Sequence, residues 1–233
     1  MEGGSELRPI IEPPFCKFLR WIVGVVYPNM ELVGLENLPE DAIVAEERLP
    51  FDHYTWCAWQ MMDKKEVSRY AYTDFWQDKP KAVRWIFWLA SKIIKYPAVY
   101  IMTHARTIPV YHDSRCLTTF RRSIEKLQDG YSLVIFPEGT RNKGEELTML
   151  PFKEGAFKIA TKTGCPIVPI SMNNTAEIFE NHFPKIKKTH VVLEYGTPIY
   201  PNELDKDVKK HIGSYVQNIM DETIHKNAAL INN

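Results

Sequence analysis

The chain has 233 residues, with 29 Lys or Arg balanced by 29 Asp or Glu, so its formal net charge at neutral pH is zero. That balance argues against bulk electrostatic attraction to nucleic acid, and no nucleic-acid partner is expected. The apolar share of 45% permits a sizeable core, and the length suits one domain with a small appendage.

Residues 1–13 are polar and carry Pro9 and Pro13, which predicts a loose arm. Residues 15–27 read as a short helix rich in aromatic and branched residues. The apolar run Phe18 to Tyr27 is broken by Arg20 and ends at Pro28. It is too short to cross a bilayer, which takes about 20 apolar residues. The start, Met1 to Glu6, lacks a basic stretch, so no secretory signal is expected. Cys16, Cys57, Cys116 and Cys165 are scattered without a CxxC pair. They read as reduced thiols, and no metal site is expected.

From residue 29 onward, short apolar runs alternate with helical patterns. Glu31 to Gly34, Ala42 to Ala45 and Tyr54 to Gln60 read as strands. Residues 81–96 read as a helix stopped by Pro97. Lys81, Arg84, Trp88, Lys92 and Lys95 share one face of it, with Ile86, Leu89, Ala90 and Ile93 on the other. Thr107 to Tyr111 predicts a strand, Thr118 to Gln128 a helix closed by Asp129 and Gly130, and Ser132 to Phe136 a buried strand. A helix over Phe157 to Thr163 closed by Gly164, strands at Pro166 to Ile170 and Thr189 to Tyr195, and a last helix from near Asn202 complete the pattern. Leu204, Val208, Ile212, Tyr215 and Ile219 line one side of that last helix. The alternation predicts an α/β fold: a mixed sheet flanked by helices, preceded by a short N-terminal helical segment. The expected division is an arm and helix over residues 1–28 and an α/β domain over 29–233.

One hexapeptide carries chemical meaning. Phe136-Pro137-Glu138-Gly139-Thr140-Arg141 directly follows a predicted buried strand, and ligands in open α/β sheets bind beyond the carboxyl ends of strands. Gly139 allows a tight turn and close approach of the backbone to a ligand. Arg141 offers a planar fork that matches phosphate oxygens. Glu138 can position that fork or accept a substrate hydroxyl. On composition alone, a strand-end turn closed by a surface ion pair is an equally open reading.

The hexapeptide resembles a signature of the glycerolipid acyltransferase family, which includes the 1-acylglycerol-3-phosphate acyltransferases. Pro151-Phe-Lys-Glu-Gly-Ala-Phe-Lys-Ile-Ala is similar to the segment that follows that signature. Pro166-Ile-Val-Pro-Ile resembles the next motif, and Tyr195-Gly-Thr-Pro-Ile a later strand-turn. The resemblance covers about residues 30–200. It implies transfer of a fatty acyl group from acyl-CoA or acyl-carrier protein to 1-acylglycerol 3-phosphate, with no cofactor beyond the acyl donor. It also implies that Glu138, Gly139, Thr140 and Arg141 bind the acceptor. Pro166, Ile167, Val168 and Pro169 would border the acyl chain. Lys153 is a further phosphate candidate, with a solvated lysine as its competing reading.

The chain departs from the family where the catalytic base belongs. The family pattern is Asn-His-x4-Asp, the histidine taking the hydroxyl proton and the aspartate orienting it. Here Ala45-Glu-Glu-Arg-Leu-Pro-Phe-Asp-His53 stands in its place, and none of the seven histidines has an acid five residues on. Either Glu47 replaces the histidine and Asp52 is the motif aspartate, or the motif and its helix are missing. The second alignment is favoured, because residues 46–53 are too few for a crossover, which needs about a dozen. Asp52 and His53 stand as catalytic candidates, with a partly exposed loop histidine as the competing reading for His53. His112 occupies the place of the second motif's arginine and is assigned to substrate binding. Without the family base, a non-catalytic lipid-binding relative is the alternative.

Lysophospholipid and acyl donor partition into membranes, so a lipid surface is an expected partner. The helix at 81–96, with its Trp residues and cations, suits an interfacial position. The N-terminal helical segment Phe15 to Tyr27, with Lys17, Arg20 and Trp21, is a second membrane-associated element. An ordinary amphipathic helix covering the sheet is the competing reading for both. Peripheral or monotopic attachment at the cytoplasmic face follows as the expected location.

Overall fold

The structure is a computed structural model that describes residues 30–38, 53–76, 80–140, 149–175 and 190–231. Its strands are β1 (Met30–Val33), β2 (His53–Ala58), β3 (Thr107–Val110), β4 (Ser132–Val134), β5 (Ile170–Asn173) and β6 (Val191–Tyr195). Its α-helices are α1 (Val67–Ala71), α2 (Arg84–His104), α3 (Cys116–Gln128), α4 (Gly155–Thr163), α5 (Lys206–Lys210) and α6 (Ile212–Ile231). The predicted helix at 15–27 and the predicted strand Ala42 to Ala45 lie outside the described residues.

The strands divide between two sheets where a single one was expected. One has the order β1-β6-β5, with β1 parallel and β5 antiparallel to the central β6. Val191, Val192, Leu193 and Tyr195 of β6 are all buried, as a strand covered on both faces requires. The other sheet has the order β3-β2-β4 and is parallel throughout. The mixed α/β class is as predicted from the alternation of runs.

Helix ends follow local chemistry. α3 stops before Gly130, and α4 stops at Gly164, whose φ of 76° lies in the left-handed region open to glycine. Phe157 of α4 packs with Ile199 and with Ile212 and Val216 of α6 in a buried cluster. Phe152 stacks on Phe157 at 6.1 Å and extends that core toward the motif. The predicted strand at Pro166 to Ile170 is displaced: β5 begins at Ile170, and Ile167 forms only an isolated bridge to Ile199. The last helix is split at His211, so α5 precedes a separate α6.

The largest correction concerns α2, which runs through Pro97 to His104. Proline removes one backbone donor and bends a helix. Pro97 is exposed, and so is Ile93, whose carbonyl is the one left without its helical donor. Ser91 and Val99 are buried, whereas Ile86, Leu89 and Ile93 of the predicted apolar side and Trp88 and Lys92 of the cationic side are all exposed. Ser68 of α1 fixes this rotation by donating its hydroxyl to the Ser91 carbonyl at 3.0 Å.

Gly34, at φ 76°, ends β1 beside its partner strand, and a Cβ there would lie 2.2 Å from the Tyr195 carbonyl oxygen. Both the backbone conformation and the space exclude a side chain. Gly34→Ala is expected to lower stability by more than about 1 kcal/mol, read as a shift of the urea midpoint at unchanged slope.

Candidate functional site at the strand ends

The parallel register of β3-β2-β4 decides which residues can meet. Thr55 to Ala58 pair with Thr107 to Val110, and His53 to Thr55 pair with Ser132 to Val134. The carboxyl ends of all three strands therefore open on one side. The residues that follow them are Trp59 to Met62, Tyr111 to Arg115, and Ile135 to Thr140.

The turn after β4 is closed by one hydrogen bond of its own and by two donated from the segment that follows it. The Gly139 amide donates to the Phe136 carbonyl at 3.1 Å, closing a tight turn with Gly139 at φ 68°. The Lys153 amide donates to the Pro137 carbonyl at 2.8 Å, and the Leu150 amide donates to Glu138 Oε2 at 2.8 Å. Glu138 thus joins the turn to the segment that follows the signature. Through Oε2 it helps to shape the loop. A Cβ on Gly139 would lie 2.6 Å from Lys153 Nζ and 2.9 Å from its Cδ and Cε, so the lysine stem lies across the glycine. Phe136, Gly139, Thr140 and Lys153 are exposed around this turn. The Phe152 amide donates to Gln217 Oε1 at 3.1 Å, which ties the segment to α6. Arg141 and Asp52 lie outside the described residues.

The end of β3 is fixed by α3. The Thr119 hydroxyl donates to the Pro109 carbonyl at 2.8 Å and accepts from the Tyr111 amide at 3.2 Å. Trp56 of β2 donates its indole N–H to Ser123 at 2.9 Å, holding the same helix against the sheet. Beyond this anchor stand His112, which is exposed, and Arg115, which sequence reading did not single out. The Arg115 guanidinium lies 4.5 Å from the Trp59 ring and 4.2 Å from the Tyr111 ring, and those two rings stack on each other at 6.0 Å. Asp113 accepts from Arg115 Nε at 3.1 Å and from Nη2 at 2.7 Å. The hydrogen bonds from Arg115 hold the Asp113 carboxyl down at about 2. The signal available in the sequence was Asp113-x-Arg115 directly after a strand, between Tyr111 and an α-helix.

The candidate base is not brought to this place. His53 opens β2 and pairs with Ser132, the first residue of β4. Phe136 lies four residues further along, about 13 Å at the usual strand rise. His53 therefore belongs to the amino ends of the strands, the opposite end from the signature turn. His112 stands at the carboxyl end of β3, two strand spacings, or about 10 Å, across from β4. His104 precedes β3 and stacks on Tyr100 at 4.3 Å, and His190 contacts Glu31 at 2.8 Å before β6. Of the histidines that flank the strands of the parallel sheet, His104 precedes β3, His53 opens β2, and His112 follows the carboxyl end of β3.

Ile167, of the expected acyl border, packs against the Phe157 cluster. Pro169 is buried, Val168 half-buried and Pro166 exposed. A groove of about 590 Å³ lies elsewhere, lined by Leu117, Phe120 and Ile124 of α3 and by Lys162 of α4. No group of three or more potential metal ligands occurs among the described residues.

The acyltransferase family model matches residues 56–173, a stretch that runs from the second half of β2 to the end of β5 and holds the signature turn and the Arg115 cluster. This chain belongs to the acyltransferase family. The match begins at Trp56, after the place where the Asn-His-x4-Asp pattern was sought. This acyltransferase-family chain is 37% identical to the 1-acyl-sn-glycerol-3-phosphate acyltransferase of Haemophilus influenzae over 90% of both chains. It is 32% identical to the protein of that name in Saccharomyces cerevisiae, over 46% of this chain and 35% of the yeast protein. For the Salmonella typhimurium protein of that name the figures are 33%, 40% and 36%. The match thus spans about a third of the yeast and Salmonella relatives. A crystal structure of the PlsC acyltransferase from Thermotoga maritima is similar at a TM-score of 0.48, with 19% identity, over 94% of this chain and 85% of that one.

The Asp113 and Arg115 geometry has a measurable consequence. A carboxyl lowered from 3.8 to about 2 contributes most above the ordinary value and loses its contribution as pH falls through about 2. Titration of the Asp113 side-chain carboxyl by carbon NMR is expected to show ionisation persisting down to about pH 2. In Arg115→Gln the midpoint should return toward about 3.9.

Proposed function

We propose that the chain transfers a fatty acyl group from acyl-CoA or acyl-carrier protein to 1-acylglycerol 3-phosphate, giving phosphatidic acid. The observation that carries this reading is the Phe136 to Thr140 turn. It stands at the carboxyl end of β4, is braced through Glu138 and the Lys153 amide, and lies within the family match. The names of the Haemophilus and yeast relatives support the same acceptor. In this reading the acceptor phosphate lies against Gly139, Thr140, Lys153 and Arg141, where backbone and cation meet it together.

The chemistry is a direct displacement. The acceptor hydroxyl oxygen attacks the thioester carbonyl carbon, the new C–O bond forms, the C–S bond breaks, and the thiol leaves with the hydroxyl proton. No further cofactor enters this balance. His112 is the imidazole we assign to proton transfer, in the role the family gives to its motif histidine. Substrate and product are both lipids, so the reading includes peripheral attachment at the cytoplasmic face of a membrane.

A second reading has its own supporting observation: the sequence holds no His-x4-Asp, and His53 lies at the wrong end of the sheet. In that reading the chain binds the lysophospholipid without turnover. Acyl transfer from acyl-CoA to lysophosphatidic acid, followed by release of free thiol, separates the two. Turnover that falls about a hundredfold or more in His112→Ala but not in His53→Ala supports the enzyme. Absence of turnover, with lysophosphatidic acid binding lost in Arg141→Ala, supports the binding protein and overturns the first reading.

A further inference from the structure

The exposed side of α2 is built unlike the surface of an ordinary helix. Trp85, Leu89, Ile93, Tyr96 and Tyr100 follow one another at four, four, three and four residues and so share a face. Trp85 is 65%, Ile93 67%, Tyr96 61% and Tyr100 58% exposed. Trp88, 53% exposed, widens the stripe toward Lys92, whose ammonium lies 5.3 Å from the indole ring. Lys95 lies 4.8 Å over the Tyr96 ring. The opposite side of the helix is already used at Ser91, which is buried and whose carbonyl accepts from Ser68.

A contiguous exposed apolar face with a polar rim marks an interaction surface. Its charge identifies the partner. No Asp or Glu occurs between Lys79 and His112, while Lys81, Arg84, Lys92 and Lys95 lie within or just before α2. Trp and Tyr have the apolar bodies and polar tips that settle at the level of lipid headgroups. Among the described residues no helix is long and apolar enough to cross a bilayer. A second copy of the chain is a poorer fit, because a two-fold contact through this face sets the same lysine-rich rim against itself.

We propose that α2 lies flat in the headgroup region of an anionic bilayer, with Trp85, Ile93, Tyr96 and Tyr100 entering the acyl boundary and Lys92 and Lys95 meeting lipid phosphates. This deepens the lipid-enzyme reading by naming the docking element, and it rests on that reading only for its biological purpose. Burial of the stripe supplies the apolar contribution, and the flanking cations supply the preference for negative lipid.

The test is sedimentation of the purified chain with vesicles of phosphatidylcholine alone and of phosphatidylcholine mixed with phosphatidylglycerol. The chain is expected to pellet with the mixed vesicles. The double variant Trp85→Ala and Ile93→Ser should bind them about tenfold more weakly. The double variant Lys92→Glu and Lys95→Glu should lose the preference for phosphatidylglycerol. Circular dichroism of each variant should match the parent, since all four residues are outside the core. The proposal is overturned if the parent chain stays in solution or if both variants bind as it does. It also fails if the first variant turns a dimer into a monomer while vesicle binding is unchanged, which assigns the face to a second copy. Vesicle binding is read without turnover. A failed acyl-transfer assay with normal α2-dependent binding removes the enzyme reading alone, and turnover without vesicle binding removes this one alone.

Discussion

Parallel pairing of β2 between β3 and β4 is the constraint on which the candidate site depends. Parallel strands share a direction, so the chain leaves all three at the same edge and has to return by a crossover before each new strand. α2 and α3 serve as those returns, and their packing fixes the sheet from outside. The Thr119 hydroxyl bridging Pro109 and Tyr111, and the Trp56 indole on Ser123, join α3 to the ends of two strands. Without that register, the signature turn and the Arg115 cluster would have no reason to lie on a common edge.

At that edge the charged groups divide their work. Glu138 accepts from the Leu150 amide through Oε2, and this helps to shape the signature turn. Arg115 is held by Asp113 on one side and by two aromatic rings on another, an arrangement that orients a planar cation. Lys153 crosses Gly139 because the glycine leaves room for its stem. The turn is therefore a short loop braced by backbone hydrogen bonds, with its exposed atoms left to face a ligand. The membrane-facing role assigned to α2 fits the same arrangement, since its inner side is committed to α1 and its outer side to no described element.

Much of the secondary structure was legible because it follows local rules. The apolar runs at β1, β3 and β6 and the helix stops at Gly130 and Gly164 were read from composition, periodicity and the conformational freedom of glycine. The misreadings have a common origin in context. Pro97 ordinarily stops a helix, yet α2 passes it on the exposed side. Both predicted sides of α2 contribute exposed residues, Trp88 and Lys92 from one and Ile86, Leu89 and Ile93 from the other, because periodicity identifies a face without saying which neighbour it meets. The strand expected at Pro166 was reduced to one bridge, with regular pairing starting only at Ile170.

By itself the sequence determined the α/β class and the signature at Phe136 to Arg141, since these are properties of residue type and spacing. It also established that no histidine stands five residues before an acid. Only the tertiary structure decided that His53 lies at the amino ends of the strands and His112 at the carboxyl ends. It likewise made Glu138 a brace for the loop, joined Arg115 to Trp59, and turned the aromatic stripe of α2 outward. The physical reason is that spacing along a chain sets which residues share a strand or a helical face. The register between strands and the packing of one helix on another set which of those faces meet.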